Sequence, residues 1–502
     1  MTAPERDQAA DSPAVRRHRR LFRALQRRKN PPLRRSDITV TDEAAVKRAV
    51  KAASLGNAME WFDFGIYSYL AVTIGHVFFP SGNATVELLA TFATFAVAFL
   101  VRPLGGMFFG PLGDRIGRKK VLAMTMIMMA IGTGAIGLIP SYASIGFWSP
   151  VLLILFRLVQ GFSTGGEYGG ASTFIAEYAP DKRRGFFGSF LEFGTLGGYI
   201  GAAGLVTGLT AVLGSSGMVA WGWRVPFLVA APLGLIGLYL RLRLDETPAF
   251  TKMEQDTVQA TEAADLVETS TASDLRRIFH DHWPRLILCV CLVGAYNVTD
   301  YMLLSYMPTY LSDQLHYSDT HGLLTLLGVM VALMAIITQV GRLSDQFGRK
   351  PLLMTGMLGF FVLSLPAFLL IQQGGYLAIV AGMAMLGLSL VCLLGTMSAA
   401  LPALFPTSVR YGSLSVGYNL SASLFGGTTP FVITGLISLT GDNLMPAYYA
   451  MFAALVGVGA VACMAETAGL PLEGSPPSVE TKEEAAELVL EQALAQASVR
   501  SS

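Results

Sequence analysis

The stretch GDRIGRKK at residues 113–120 is nearly repeated as GRLSDQFGRK at residues 341–350. Each copy carries an aspartate, Asp114 or Asp345, then a glycine and two basic residues, where one long apolar run gives way to the next. A charged turn that recurs almost half a chain away, each time between apolar runs, points to a duplicated unit built for a bilayer. Composition agrees. The chain has 502 residues, 52% hydrophobic and only 14% charged, with a mean hydropathy of +0.51. A water-soluble protein of this length needs more charge to cover its surface.

A bilayer core about 30 Å thick takes roughly 20 apolar residues per helix, and runs of that length recur. They predict spans near 54–79, 88–112, 119–139, 150–177, 185–213 and 222–240, then 285–311, 321–342, 351–371, 375–404, 411–438 and 446–465. The expected fold is all-α, with twelve transmembrane helices in two six-helix halves. The runs are continuous, not alternating, which argues for helices over a barrel. The division is a basic extension over 1–53, a first half over 54–240, a linker over 241–284, a second half over 285–466 and a tail over 467–502.

Charge placement sets the orientation. Fourteen of the 36 Lys and Arg residues fall in residues 1–51, whereas the loops at 80–87, 140–149, 312–320 and 439–445 have none. Both termini are therefore expected in the cytoplasm, in a multi-pass cell-membrane protein. The run RRHRRLFRALQRRKNPPLRR suits anionic lipid of the inner leaflet better than nucleic acid. It reads as a cytoplasmic extension, not a signal peptide. Four cysteines show neither disulfide nor metal spacing. No nucleotide loop or nucleophile elbow occurs, so no enzyme, metal or cofactor is expected, nor an obligate protein partner.

Other pairs repeat in the same order. Pro180-Asp-Lys-Arg-Arg184 matches Pro406-Thr-Ser-Val-Arg410, and Glu246-Thr247 matches Glu466-Thr467. Repeats of this kind set a substrate site between the halves near the midplane. The G-x-x-x-D-x-x-G-R-K/R turn resembles the signature of the major facilitator superfamily. SLGNAMEWFDFGIY (54–67), FLVRPLGG (99–106), RLVQGFSTGGEYGGASTFIAEYAP (157–180), WGWRVPF (221–227) and NVTDYMLLSYMPTYL (297–311) resemble its metabolite:proton symporter branch. Within that branch the chain resembles the osmoregulatory transporters of proline and glycine betaine. The resemblance implies secondary active transport of a zwitterionic osmolyte with a proton. An organic acid such as 2-oxoglutarate, citrate or shikimate is the alternative cargo.

Gly113 and Gly117 would permit a tight reversal. Asp114 and Asp345 would each meet the amino end of a helix, where free N–H groups favour an anion. The resemblance pairs Asp114 with the start of span eleven past Arg410. Pseudo-symmetry pairs Asp345 with the start of span five past Arg184. Arg115, Arg118 and Arg349 complete this gating set.

Ionisable groups inside a membrane cost about 2.5–3.5 kcal/mol each and usually face a cavity. Here they are Glu60, Asp63, Arg102, Arg157, Glu167, Glu192 and Asp300. Asn57, Glu60 and Asp63 share a face by their three-residue spacing, as do Asn297 and Asp300. Glu60 or Asp63 is the expected proton carrier, with Arg102 or Arg157 as its tuning partner. Five carboxylates against two arginines favour a cationic headgroup as cargo. Asn57, Tyr67, Glu167, Glu192, Asn297, Asp300 and Tyr301 are the expected substrate contacts. Phe64, Tyr67, Tyr168, Phe193, Tyr296 and Tyr301 are candidates for a cation–π cage. The tail segment at 479–499 is helix-prone but too short for a coiled coil of three or four heptads.

Overall fold

The computed structural model describes residues 33–116, 118–242, 280–407 and 409–500, and everything below refers to those. The chain is helical apart from one two-stranded pairing. Asp42 starts α1 (Glu43–Tyr69) by accepting from Ala44 N at 3.0 Å. The predicted first span is thus really α1 plus α2 (Ala71–Phe78), and its helix begins eleven residues early, inside what the sequence suggested was a polar extension. Asn83 caps α3 (Ala84–Leu100), which passes into α4 (Arg102–Ile116) and, past residue 117, α5 (Arg118–Leu138). The fourth predicted span divides at Thr164–Gly166 into α6 (Trp148–Ser163) and α7 (Glu167–Tyr178). The first part closes with α8 (Arg184–Gly217) and α9 (Arg224–Leu242).

The second part follows. α10 (Trp283–Asp300) continues into a π-helical segment, Tyr301–Tyr306. Then come α11 (Asp319–Phe347), α12 (Arg349–Ile371) and α13 (Tyr376–Ala400). α14 (Arg410–Ser421) runs through a π-helical turn, Ala422–Gly426, toward α15 (Thr429–Thr440), and α16 (Met445–Cys463) follows. Among the described residues, eight helices are long and apolar enough to cross a membrane, and Ala123–Leu138 and Arg224–Gly237 are shorter apolar helices. The linker and Glu246-Thr247 lie outside the described residues.

The second copy of the repeated turn is tighter than its sequence suggested. Gly113 lies within α4, and Gly341 lies within α11, which stays helical to Phe347. Reversal in the second copy falls on Gly348 alone, at φ 111°, a conformation that suits only glycine. Gly117, the corresponding residue of the first copy, lies outside the described residues.

Small residues set the packing. A Cβ on Gly161 would strike the Ala98 carbonyl, and one on Gly194 or Gly198 would strike the carbonyls of Ser54 or Ala58. The backbones of α6 and α3, and of α8 and α1, therefore lie in direct contact. The two parts of the chain meet where α8 packs on α11 and α13, and where α3, α4 and α7 pack on α14 and α15.

Beyond α16 the tail folds back. β2 (Ser478–Val479) pairs in parallel with β1 (Thr39–Val40), and α17 (Lys482–Arg500) follows. Ile38, Val479 and Ala485 form a small apolar core of their own there.

Candidate functional site

Asn57, Glu60 and Asp63 of α1 are all buried, but they fan out instead of sharing one face. A three-residue step falls about 60° short of a full turn, so two steps swing a side chain by about 120°. Asn57 Nδ2 donates to α8, to Leu191 O at 2.8 Å and Thr195 Oγ1 at 2.6 Å. Glu60 meets α4, accepting from Arg102 Nη2 at 2.8 Å. Asp63 meets α5, accepting from Thr133 Oγ1 at 2.6 Å.

The cation–anion pairing, open in the sequence, is thereby fixed for Arg102. Its guanidinium lies 4.5 Å from the Phe64 ring centroid and 4.3 Å from that of Phe99. Arg157 lies 3.5 Å over Tyr67, and its Nη1 donates to Gln160 Oε1 at 3.0 Å. Arginines thus occupy the faces of Phe64 and Tyr67 that were candidates for a substrate cage. The Tyr67 hydroxyl donates to Thr91 O at 3.0 Å.

Glu192 is fully engaged: Tyr168 donates to Oε1 at 2.5 Å and Thr195 to Oε2 at 2.8 Å. Tyr168 in turn stacks on Tyr418 of the second part at 3.8 Å. Phe193 packs at the half-buried edge against Phe190. Glu167 is buried at the first position of α7.

Asn297, Asp300 and Tyr301 stand where α10 turns π-helical. All three are buried. Both Asn297 side-chain atoms, Asp300 Oδ1 and the Tyr301 hydroxyl have no hydrogen-bond partner among the described residues. The Tyr301 ring meets Trp61 at 5.6 Å and Phe99 at 5.4 Å, and Trp61 meets Tyr199 at 5.3 Å. Tyr296 is buried one residue before Asn297. Buried polar atoms of both kinds beside aromatic faces can receive a molecule that is cationic at one end and anionic at the other.

The two parts are tied on either side of these carboxylates. Toward the far end of α1, Ser68 donates to Ser305 O at 2.8 Å, Tyr69 to Leu304 O at 2.9 Å, and Tyr199 meets Ser305 Oγ at 3.0 Å. At the tail side, Asp345 accepts from Gly185 N at 2.7 Å and Phe186 N at 2.8 Å, two of the free N–H groups in the first turn of α8. Arg184 donates to Ala176 O and Leu470 O and pairs with Asp181. Arg410 reaches Glu177 at 2.8 Å and Glu473 O at 2.9 Å. Arg349 N and Lys350 N donate to Glu466, while Arg349 Nη1 donates to Thr467 Oγ1. Asp114, Arg115 and Arg118 have backbone positions at the end of α4 and the start of α5, and their side chains lie outside the described set.

Thr133, Gln160, Thr195 and Trp61 were missed in the sequence. Gln160 follows Arg157 by three residues on one helix, a signal that an intramembrane amide deserved reading beside its arginine. Thr133 and Thr195 offered no such signal, since hydroxyls are common in membrane helices. The four cysteines are free thiols, and no cluster of His, Cys, Asp and Glu among the described residues could hold a metal.

The sequence pattern of the family "Sugar (and other) transporter" matches residues 49–477. A proline/betaine transporter of Salmonella typhimurium is 47% identical over 465 residues, covering 93% of this chain and 92% of that one. A glycine betaine/proline/ectoine/pipecolic acid transporter of Dickeya dadantii is 47% identical, with 93% of each chain covered. The ectoine/proline transporter of Corynebacterium glutamicum is 43% identical over 94% of each. In structure, the chain resembles the major facilitator proton:xylose symporter XylE at a TM-score of 0.68 and 18% identity. The match covers 86% of this chain and 98% of XylE.

Proposed function

Since the chain belongs to the sugar (and other) transporter family of the major facilitator superfamily, we propose that it imports a zwitterionic osmolyte with a proton by alternating access. Proline, glycine betaine and related solutes are the cargo class. One observation carries this reading: relatives named for proline, betaine and ectoine match at 43–47% identity over nearly the whole chain. It is a transporter of the bacterial cell membrane and not an enzyme.

The finer architecture belongs to the same proposal. Twelve spans form two homologous six-helix halves, 54–240 and 285–466, with both termini in the cytoplasm. Four of these spans escape a simple length-and-apolarity reading for physical reasons. The first carries Glu60 and Asp63 and breaks at Leu70, and the fourth breaks at Thr164–Gly166. The third and sixth are the shorter apolar helices. The α8–α11 contact has its pseudo-symmetric counterpart in the contact of α4 with α14. The basic amino terminus rests on anionic lipid of the inner leaflet.

Asp63 carries the proton, tuned by Arg157. Glu60 and Arg102 form the fixed charge pair beside it. Asn297, Asp300 and Tyr301 take the substrate, with the Asp300 carboxylate and the aromatic faces toward its ammonium. Asn57 and Glu192 instead shape the cavity wall from behind, and Tyr67 and Glu167 line the arginine side. Asp345 at the start of α8 and Asp114 at its counterpart hold the cytoplasmic side shut, supported by Arg115, Gly117, Arg118, Arg184, Arg349 and Arg410.

Uptake into proteoliposomes under an imposed pH gradient tests the reading. Labelled glycine betaine and proline should accumulate, and excess 2-oxoglutarate should not compete. Accumulation of 2-oxoglutarate in place of both would move the cargo to the organic acids.

A further inference from the structure

We propose that Thr133 is a hydroxyl rotor that holds Asp63 in either protonation state, with Gln160 fixing its direction, so that these two neutral residues position the proton-carrying site. The inference rests on Asp63 being the proton carrier.

The chain of contacts runs from Arg157 Nη1 to Gln160 Oε1 at 3.0 Å, from Gln160 Nε2 to Thr133 Oγ1 at 2.5 Å, and from Thr133 Oγ1 to Asp63 Oδ2 at 2.6 Å. All four side chains are at most 4% exposed. Hydrogen counting gives the chain a direction. A guanidinium only donates, so the atom of Gln160 that faces Arg157 must be its carbonyl oxygen. The Gln160 amide nitrogen is then committed to donate to Thr133, which occupies one of the two lone pairs on that hydroxyl.

Thr133 has one proton left to place and two acceptors in reach, Asp63 Oδ2 at 2.6 Å and the Met129 carbonyl at 2.9 Å. With Asp63 ionised, the hydroxyl donates to the carboxylate. When a proton arrives from water on the open side, one O–H bond forms at Oδ2 and one breaks in the donor. The new carboxyl proton then donates into the free lone pair of Thr133, whose own proton swings to Met129 O. No covalent bond of Thr133 changes, and the contacts linking Gln160, Thr133 and Asp63 Oδ2 are kept in both states. A buried group that must exist charged and neutral needs this, because an unmet donor or acceptor is costly.

The surroundings leave the task to this pair. Among the described residues, Arg157 from α6 and Glu167 from α7 are charged groups close enough to Asp63 to bear on it. α4 brings Arg102, already bound to Glu60, and α8 brings Glu192, held by Tyr168 and Thr195. Tyr67 lies on α1 itself beneath Arg157, and the π-helical segment brings Tyr301. α9 carries Arg224, bonded to Gly137 O and Ile139 O, and an exposed Tyr239.

The test is the pH profile of gradient-driven glycine betaine and proline uptake in proteoliposomes, for wild type, T133V, T133S and D63N at matched protein. Valine keeps the shape and removes the bond made in each state; the bond to the ionised carboxylate is the stronger of the two, so its loss favours the neutral form. The alkaline limb of uptake should move upward by about one pH unit. Serine keeps the rotor and should restore the wild-type limb. A T133V profile matching wild type, or a T133S shift equal to that of T133V, overturns the rotor while leaving Asp63 its role. Gradient-driven uptake that survives in D63N overturns the carrier assignment, and the rotor with it.

Discussion

At the scale of single residues, the buried charges differ in what they can give up. Glu60 and Arg102 are locked to each other, and Arg102 is further covered by two phenylalanine rings. Removing one partner of a buried pair strands the other, at a cost of about 3–5 kcal/mol, whereas removing both is far milder. E60L should therefore lower the unfolding temperature in detergent strongly, and E60L/R102M should recover most of the loss. If the double variant unfolds no later than the single one, the pair is not the stabilising unit assigned here. Among the described residues Asp63 has no such direct cationic partner in hydrogen-bond reach, which leaves it able to change charge without dismantling a contact of this strength.

At the scale of elements, the decisive contacts are made by helix ends. The Asp345 carboxylate spans two free N–H groups at the start of α8, and Gly185 and Gly341 let the two backbones come close enough for it to do so. Charge-assisted bonds of this type contribute about 1.5–3 kcal/mol each. D345N keeps an oxygen but turns an amide donor toward an N–H. Uptake should fall at least about fivefold while membrane protein level holds; a parallel fall in both would reduce Asp345 to a folding residue. Gly348 offers a separate check. Its φ of 111° and the Glu466 carboxylate against its missing Cβ exclude a side chain on two counts. G348A should destabilise by about 1–3 kcal/mol, read as a lowered unfolding temperature in detergent. An unchanged value would mean that the reversal tolerates another conformation.

On the scale of the whole molecule, the two parts are hydrogen-bonded to each other on both sides of the buried carboxylates. Transport requires one set of contacts to open while the other holds. The tail takes part in the set on the Asp345 side. Ser478 N donates to Asp181 Oδ2 at 3.0 Å, Thr39 N to Pro477 O and Thr41 N to Val479 O, both at 2.9 Å, and Arg184 and Arg410 each bind a tail carbonyl. Truncation after residue 476 should raise amide exchange at Thr39 and Thr41 by about tenfold, the worth of one hydrogen bond. Protection that persists without the strand would show that β1 is held by something other than β2.

Much was already written in the sequence. Long apolar runs fixed a helical membrane protein, because a bilayer admits few other solutions. The doubled aspartate turn, read with its helix ends, located Asp345 against the start of α8. Intramembrane carboxylates and arginines named themselves by their cost. What tertiary structure alone decided was the partnership among them. Three-residue spacing sent Asn57, Glu60 and Asp63 to three different helices. Arginine faces closed off Phe64 and Tyr67, and Thr133 and Gln160 came between Asp63 and Arg157. Such choices depend on which neighbouring helix arrives at each side of α1, and that is set by close backbone contacts among residues distant in the chain.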